Sequence, residues 1–140
     1  MKIHNLESYT GVELASFGET QAAIRHRLSN LPRIVVGEND SVSHDYYPDL
    51  GMHVHYEAGV CVFLEFGPPA YPLYQGVQLL YRPFSDVLRE LLKLDEAPEL
   101  NRSGLRSTKL GISIYAPGSV EGQSERVESV SLFCASYYRK

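Results

Sequence analysis

Two stretches of the chain carry one signature, Leu-Gly followed by strict alternation: Asp49-Leu50-Gly51-Met52-His53-Val54-His55-Tyr56 and Lys109-Leu110-Gly111-Ile112-Ser113-Ile114-Tyr115. A period of two belongs to a strand that buries one face. Its recurrence in a matching context constrains the architecture more than any single motif. Upstream of each stretch lies a second matched pair. Gly11-Val12-Glu13-Leu14-Ala15 leads through Phe17-Gly18-Glu19-Thr20 into a helical stretch ending at Leu28. Gly76-Val77-Gln78-Leu79-Leu80 leads through Arg82-Pro83-Phe84-Ser85 into one ending near Leu94. In the second helix Phe84, Val87, Leu88, Leu91 and Leu92 recur at helical spacing, a stripe that faces a core. Thr20 reads as the cap of the first helix, and Pro83 or Ser85 as the start of the second.

Each alternating strand is followed by another, Val60 to Phe66 and Val127 to Cys134, so each half contains a hairpin. The loop Glu57-Ala58-Gly59 predicts a three-residue turn, which sets Tyr56 opposite Val60 and His55 opposite Cys61. In the second half the connection grows into a polar excursion from Ala116 to Arg126, its outer part running from Ser119. Gly67-Pro68-Pro69-Ala70-Tyr71-Pro72 joins the halves as a stiff, extended crossover, and Asp95 to Arg106 reads as an irregular surface loop. A chain of 140 residues is long enough to bury a core without metals or disulfides. The expected fold is α+β: two tandem helix-plus-antiparallel-hairpin units, about residues 11–66 and 76–138. They form one antiparallel sheet with the helices packed on one face, in a single domain spanning 1–140.

Alternation divides the sheet into two faces. Met52, Val54, Tyr56, Val60, Val62, Leu64, Phe66, Ile112, Ile114, Val130, Leu132 and Cys134 form an apolar face for the helices. The other carries His53, His55, Cys61, Phe63, Glu65, Ser113, Tyr115, Ser129, Ser131 and Phe133. Half-solvated sheets often alternate in this way, yet here aromatic residues stand beside acidic ones, as they do where interfaces concentrate their energy. The candidate partner-binding residues are Asp45, Tyr46, Tyr47, Asp49, His53, His55, Glu57, Phe63, Glu65, Tyr71, Tyr74, Tyr115 and Phe133. Ten tyrosines and no tryptophan fit the same use, since tyrosine supplies contact area at low entropic cost.

Thirteen basic against seventeen acidic residues, a net charge of -4, argue against a phosphate-backbone binder, so nucleic acid is not the expected partner. No stretch approaches membrane-spanning length and the first residues carry no signal-like apolar run, so the expectation is a cytoplasmic chain with no membrane partner. Cys61 and Cys134 read as buried thiols. A His55–Cys61 pair is the nearest approach to a nucleophile or, with His53, to part of a metal site. A mid-strand hairpin, however, supplies neither an oriented base nor an oxyanion site. His44 beside Asp45 reads as a turn pair. Phosphate loops, paired-cysteine motifs and nucleophile elbows are absent from the sequence. The chain is expected to be no enzyme and to need neither cofactor nor metal.

The run from Asp45 to Tyr56, then Phe63-Leu64-Glu65-Phe66 with Pro69-Ala70, then Gly76-Val77-Gln78-Leu79-Leu80, resembles a group of small bacterial proteins. Gly104-Leu105-Arg106-Ser107, Leu110-Gly111-Ile112, Tyr115-Ala116-Pro117 and Val127-Glu128-Ser129-Val130 look like their C-terminal half. Such groups are often immunity-like proteins of polymorphic or contact-dependent toxin systems. Phe17-Gly18-Glu19-Thr20 before a short helix is also similar to the tandem helix-and-sheet unit of β-lactamase-inhibitor-like folds, which present a sheet to a protein partner. The resemblance implies an immunity protein that neutralises a cognate toxin domain by occluding its active site. A small-molecule or peptide sensor with a cavity between sheet and loops is the alternative.

Overall fold

The Leu-Gly pairs mark where the chain turns into the alternating strands, and the computed structural model, which describes residues 2–37, 42–118 and 125–138, shows why glycine stands there. Gly51 has φ of +61°, and a Cβ on it would lie 2.2 Å from the Gly67 carbonyl oxygen and 2.6 Å from the Ala70 nitrogen. Gly111, at φ +73°, lies against the Tyr9 ring. Both positions are left-handed, and at Gly51 backbone already fills the space a side chain would need.

The strands are β1 (Lys2–Asn5), β2 (Gly11–Val12), β3 (Ala15–Ser16), β4 (Ile34–Val36), β5 (Val42–Tyr47), β6 (Met52–Glu57), β7 (Val60–Phe66), β8 (Ala70–Tyr74), β9 (Val77–Gln78), β10 (Glu99–Asn101), β11 (Gly104–Ser107), β12 (Ile112–Tyr115) and β13 (Ser129–Phe133). The helices are α1 (Gln21–Arg27), before β4, and α2 (Phe84–Leu91), before β10. The main sheet has eight strands in the order β10-β11-β12-β13-β7-β6-β5-β4, antiparallel throughout. Each helix is thus followed by a four-strand meander, and the two meanders meet where β13 pairs with β7. A smaller sheet, β1-β8-β9, holds β1 parallel to β8, and β2 pairs with β3.

The α+β class and the largely antiparallel sheet agree with the sequence reading; several local expectations do not. The segment 95–106 holds β10 and the start of β11 rather than an irregular loop, and the crossover becomes β8 from Ala70 onward. The first hairpin turns on two residues, not three. Glu57 pairs with Val60, and Ala58 and Gly59 have φ of +52° and +80°, the left-handed pair that matches the twist of a tight hairpin. Tyr56 therefore faces Cys61, and a bulge at Val62 restores the pairing so that His55 faces Phe63 and His53 faces Glu65. Cys61 turns into the core at 1% exposure, while Val60 and Val62, expected on the apolar face, are half-buried outside it. The excursion from Ser119 lies outside the described residues up to position 124.

One apolar cluster joins both halves. Met52, Val54, Tyr56, Leu64, Phe66, Ile112, Ile114, Val130 and Leu132 from the sheet meet Ile24 and Leu28 of the α1 region and Phe84, Val87 and Leu91 of α2. The Thr20 hydroxyl caps α1 by accepting from the Ala23 N–H at 3.1 Å. A helix of two turns is marginal alone, and an ion pair helps seat it: Arg25 donates from Nε and Nη2 to the two Asp45 carboxylate oxygens, each at 2.7 Å. Asp45 is fully buried and Arg25 about a quarter exposed (26%). Removing one partner of such a pair strands the other. Arg25→Met should cost about 3 kcal/mol in urea denaturation, whereas Arg25→Met with Asp45→Leu should recover part of it; equal losses in the two would contradict a stranded carboxylate.

Candidate functional site

The face of the main sheet turned away from the helices is where the unusual side chains gather. Register fixes its rows. Val36, His44, His55, Phe63 and Phe133 are successive cross-strand partners, and beside them run Ile34, Tyr46, His53, Glu65, Ser131, Ser113, Arg106 and Glu99. Directly opposed residues on one face lie close enough to touch. A chain of ring contacts results. Tyr46 stacks on His53 at 4.2 Å, His53 meets His44 at 4.7 Å, His44 stacks on His55 at 4.1 Å, and His55 meets Phe63 edge-on at 5.1 Å. It continues through Tyr137, Tyr138 and Phe133 to Tyr9. Arg106 closes the far end with its guanidinium 4.2 Å from the Tyr138 ring centre while bonding Glu99.

Not every candidate residue belongs to this face. Tyr46, His53, His55, Glu57, Phe63, Glu65 and Tyr115 are brought together on it, with Tyr115 46% exposed. Phe133 points the same way but is buried at 2% under the Tyr9 and Tyr138 rings, so it supports the surface rather than forming it. Asp45 and Tyr47, expected among the partner-binding residues, do not reach this face: the parity of β5 turns both inward, fully buried. Tyr71 and Tyr74 stand on β8 in the smaller sheet, where the Tyr71 hydroxyl donates to Gln78 and Tyr74 is buried against Ser8. Asp49 lies exposed in the turn between β5 and β6. His44 and Asp45, read from the sequence as a turn pair, lie instead within β5, and Tyr137, Tyr138 and Arg106 were not singled out at all. Alternation through His44 and Tyr46 was the available signal for the strand, and the Tyr137-Tyr138 pair just past β13 for the two tyrosines.

Electrostatically the histidines form a neutral cluster. His44 Nε2 and His53 Nδ1 are 2.5 Å apart, so one ring donates to the other. Burial lowers the pKa of all three; Glu65 opposes this at His44 and His53, while His55, with no carboxylate beside it and two imidazoles close by, falls to about 4. The His55 Nε2 is buried without a hydrogen bond. Among the described residues no three His, Cys, Asp or Glu side chains are placed to hold a metal ion. Cys61, expected beside His55, sits on the opposite side of the sheet with its pKa pushed up by burial to about 12, so the predicted thiol–imidazole pair does not form. An open pocket of 270 Å³ lies at the Arg106 end, lined in part by Glu99, Leu105, Tyr115 and Tyr138. That is below the usual size of a site that encloses a small ligand.

Two outcomes follow. Each imidazole binds a proton less readily in the folded chain than at the ordinary 6.5, so as pH falls from 6.5 toward 4 the unfolded state holds more protons and stability drops. Glu19 and Asp95, whose carboxyls hydrogen bonds from Arg27 and Ser107 hold low, add their loss as pH falls through about 4.5 and below, outside the range from 6.5 to 5. Chemical denaturation should show a loss between pH 6.5 and 5 that shrinks in His55→Gln, by about 1 kcal/mol after solvent screening; an unchanged slope would remove His55 as a source. In the native chain Cys61 should resist iodoacetamide at neutral pH, and half-buried Cys134 should react first. Fast native labelling of Cys61 would contradict its placement.

No helix among the described residues is long and apolar enough to cross a membrane. Comparison with protein-family models, with curated proteins and with solved structures finds no match for this chain.

Proposed function

We propose that the chain is a protein-binding inhibitor of the immunity type, which docks on a cognate toxin domain through the open face of its sheet and covers that domain's active site. The observation that carries this reading is the chain of rings from Tyr46 to Tyr138 on the face the helices leave uncovered, with Glu57 and Glu65 among them and exposed Tyr115 at its rim. Aromatic anchors within a polar surround are the composition of protein-docking surfaces. Rings already packed against one another also lose little freedom on binding, which favours affinity.

The sheet backbone makes the surface rigid, so docking needs little rearrangement. We read the two halves as tandem copies of one helix-and-sheet unit. The matched Leu-Gly turns and the mirrored strand order about the β7–β13 join support that reading. Two copies side by side give a face twice as wide as either alone, suited to an interface of about 1,600 Å². The site of action proposed is the cytoplasm of the producing cell, where a toxin must be silenced before export.

Co-expression with the product of the gene immediately upstream tests the proposal. That product should be toxic alone and harmless with this chain. Tyr46→Ala combined with Tyr115→Ala should weaken the complex at least about thirtyfold, the effect of losing a binding hot spot of about 2 kcal/mol. A non-toxic product, or toxicity indifferent to the chain, would sink the reading.

A further inference from the structure

The row that crosses the open face from Tyr46 to Glu99 has related chemistry at its two ends and, among the described residues, a paired cation at only one of them. At the far end the Arg106 guanidinium lies over the Tyr138 ring, 4.2 Å from its centre, and donates from Nη2 and Nε to one Glu99 oxygen at 2.6 and 3.1 Å. At the near end Glu65 stands opposite His53, and the His53 ring is stacked on Tyr46 at 4.2 Å and 21°. The parts are again a carboxylate and a flat aromatic surface. Among the described residues no Lys or Arg forms an ion pair with Glu65. Among the described residues, the titratable groups its charge acts on are the imidazoles of His44 and His53, both of which burial biases toward the neutral form.

We propose that Glu65, Tyr46 and His53 form a binding site for a guanidinium, taking an arginine side chain of the docking protein. The proposal rests on the reading of this face as a docking surface and names what that surface recognises. A guanidinium fits because it is planar, can lie on a stacked ring and still present two parallel N–H groups to a carboxylate. An ammonium can also sit over a ring, but it has no planar fork to offer two parallel N–H groups to the carboxylate at the same time. A phosphate or carboxylate ligand would meet Glu65 with like charge. A metal ion is less suited, since the nearest nitrogens, His44 Nε2 and His53 Nδ1, already satisfy each other at 2.5 Å. The half-burial of Glu65 strengthens the pairing, because a partly desolvated carboxylate gains more from a cation than one in open water.

The test uses the full chain and two capped amino acids, Nα-acetyl-arginine methylamide and Nα-acetyl-lysine methylamide, followed by aromatic proton–carbon NMR at neutral pH and matched ionic strength. The arginine derivative should shift the Tyr46 and His53 ring signals saturably and bind about three times more tightly than the lysine derivative, because its planar fork meets ring and carboxylate together. Glu65→Gln should abolish the saturable shift with the melting temperature unchanged, Tyr46→Leu should weaken it about threefold, and Glu99→Gln should leave it intact. Equal affinity for the two derivatives, shifts centred elsewhere, or indifference to Glu65→Gln would overturn the site. Free arginine binding more tightly than the capped form would overturn the assignment to a protein partner. A failed titration with toxin neutralisation intact removes the guanidinium site alone; a positive titration with no neutralisation removes the toxin reading alone.

Discussion

The register of the β6–β7 hairpin is the constraint on which the rest of the molecule depends. Because the side-chain period of a strand is two, a slip of one residue would send every side chain of β7 to the other face. Two local devices prevent it. The left-handed pair Ala58 and Gly59 closes the turn on two residues, and the bulge at Val62 then inserts one extra residue. The first sends Cys61 into the core beside Tyr56, and the second returns Phe63 and Glu65 to the face of His53 and His55. β7 is also the strand that meets β13, so its register fixes how the two meanders align.

From that alignment come two faces of different character. The inner one is held by apolar contact with both helices and by the Arg25–Asp45 pair, whose carboxylate has left water entirely. Such a pair contributes little net stability, but it orients α1, since one guanidinium fork fits one carboxylate in one geometry. The outer face gathers rings that could have been scattered. Imidazoles stacked on one another and on tyrosine stay neutral, which makes the surface aromatic and mildly acidic rather than cationic.

Much of this was legible in the sequence where pattern and physics coincide. Phe84, Val87 and Leu91 of the helical stripe are buried as read, Leu88 only partly and Leu92 not, since it caps the helix at 39% exposure; the Thr20 cap and the alternation through Met52, Val54 and Tyr56 appear as read. Elsewhere the pattern was silent or ambiguous. Ile34, Val35 and Val36 are all exposed and Glu99 to Asn101 likewise, so neither edge strand has the half-buried alternation that marks a strand. Val60 to Leu64 is an unbroken apolar run, in which a bulge leaves no trace, and the face of Cys61 was therefore misassigned. Asp45 and Tyr47 were named as partner-binding candidates with no strand read through them; the alternation of β5 separates them from the outward pair His44 and Tyr46. The cover that Tyr138 gives Phe133 and Tyr137 gives Phe63 depends on a turn after the last strand, which no periodicity announces.

Cross-strand proton–proton contacts measured by NMR on the isolated chain address the register most directly. With the bulge at Val62, the Cys61 β-protons should lie near the Tyr56 ring, and the Phe63 ring near His55. Contacts from Cys61 to the His55 imidazole, with Phe63 near His53, would mean a hairpin slipped by one residue and an outer face of different composition.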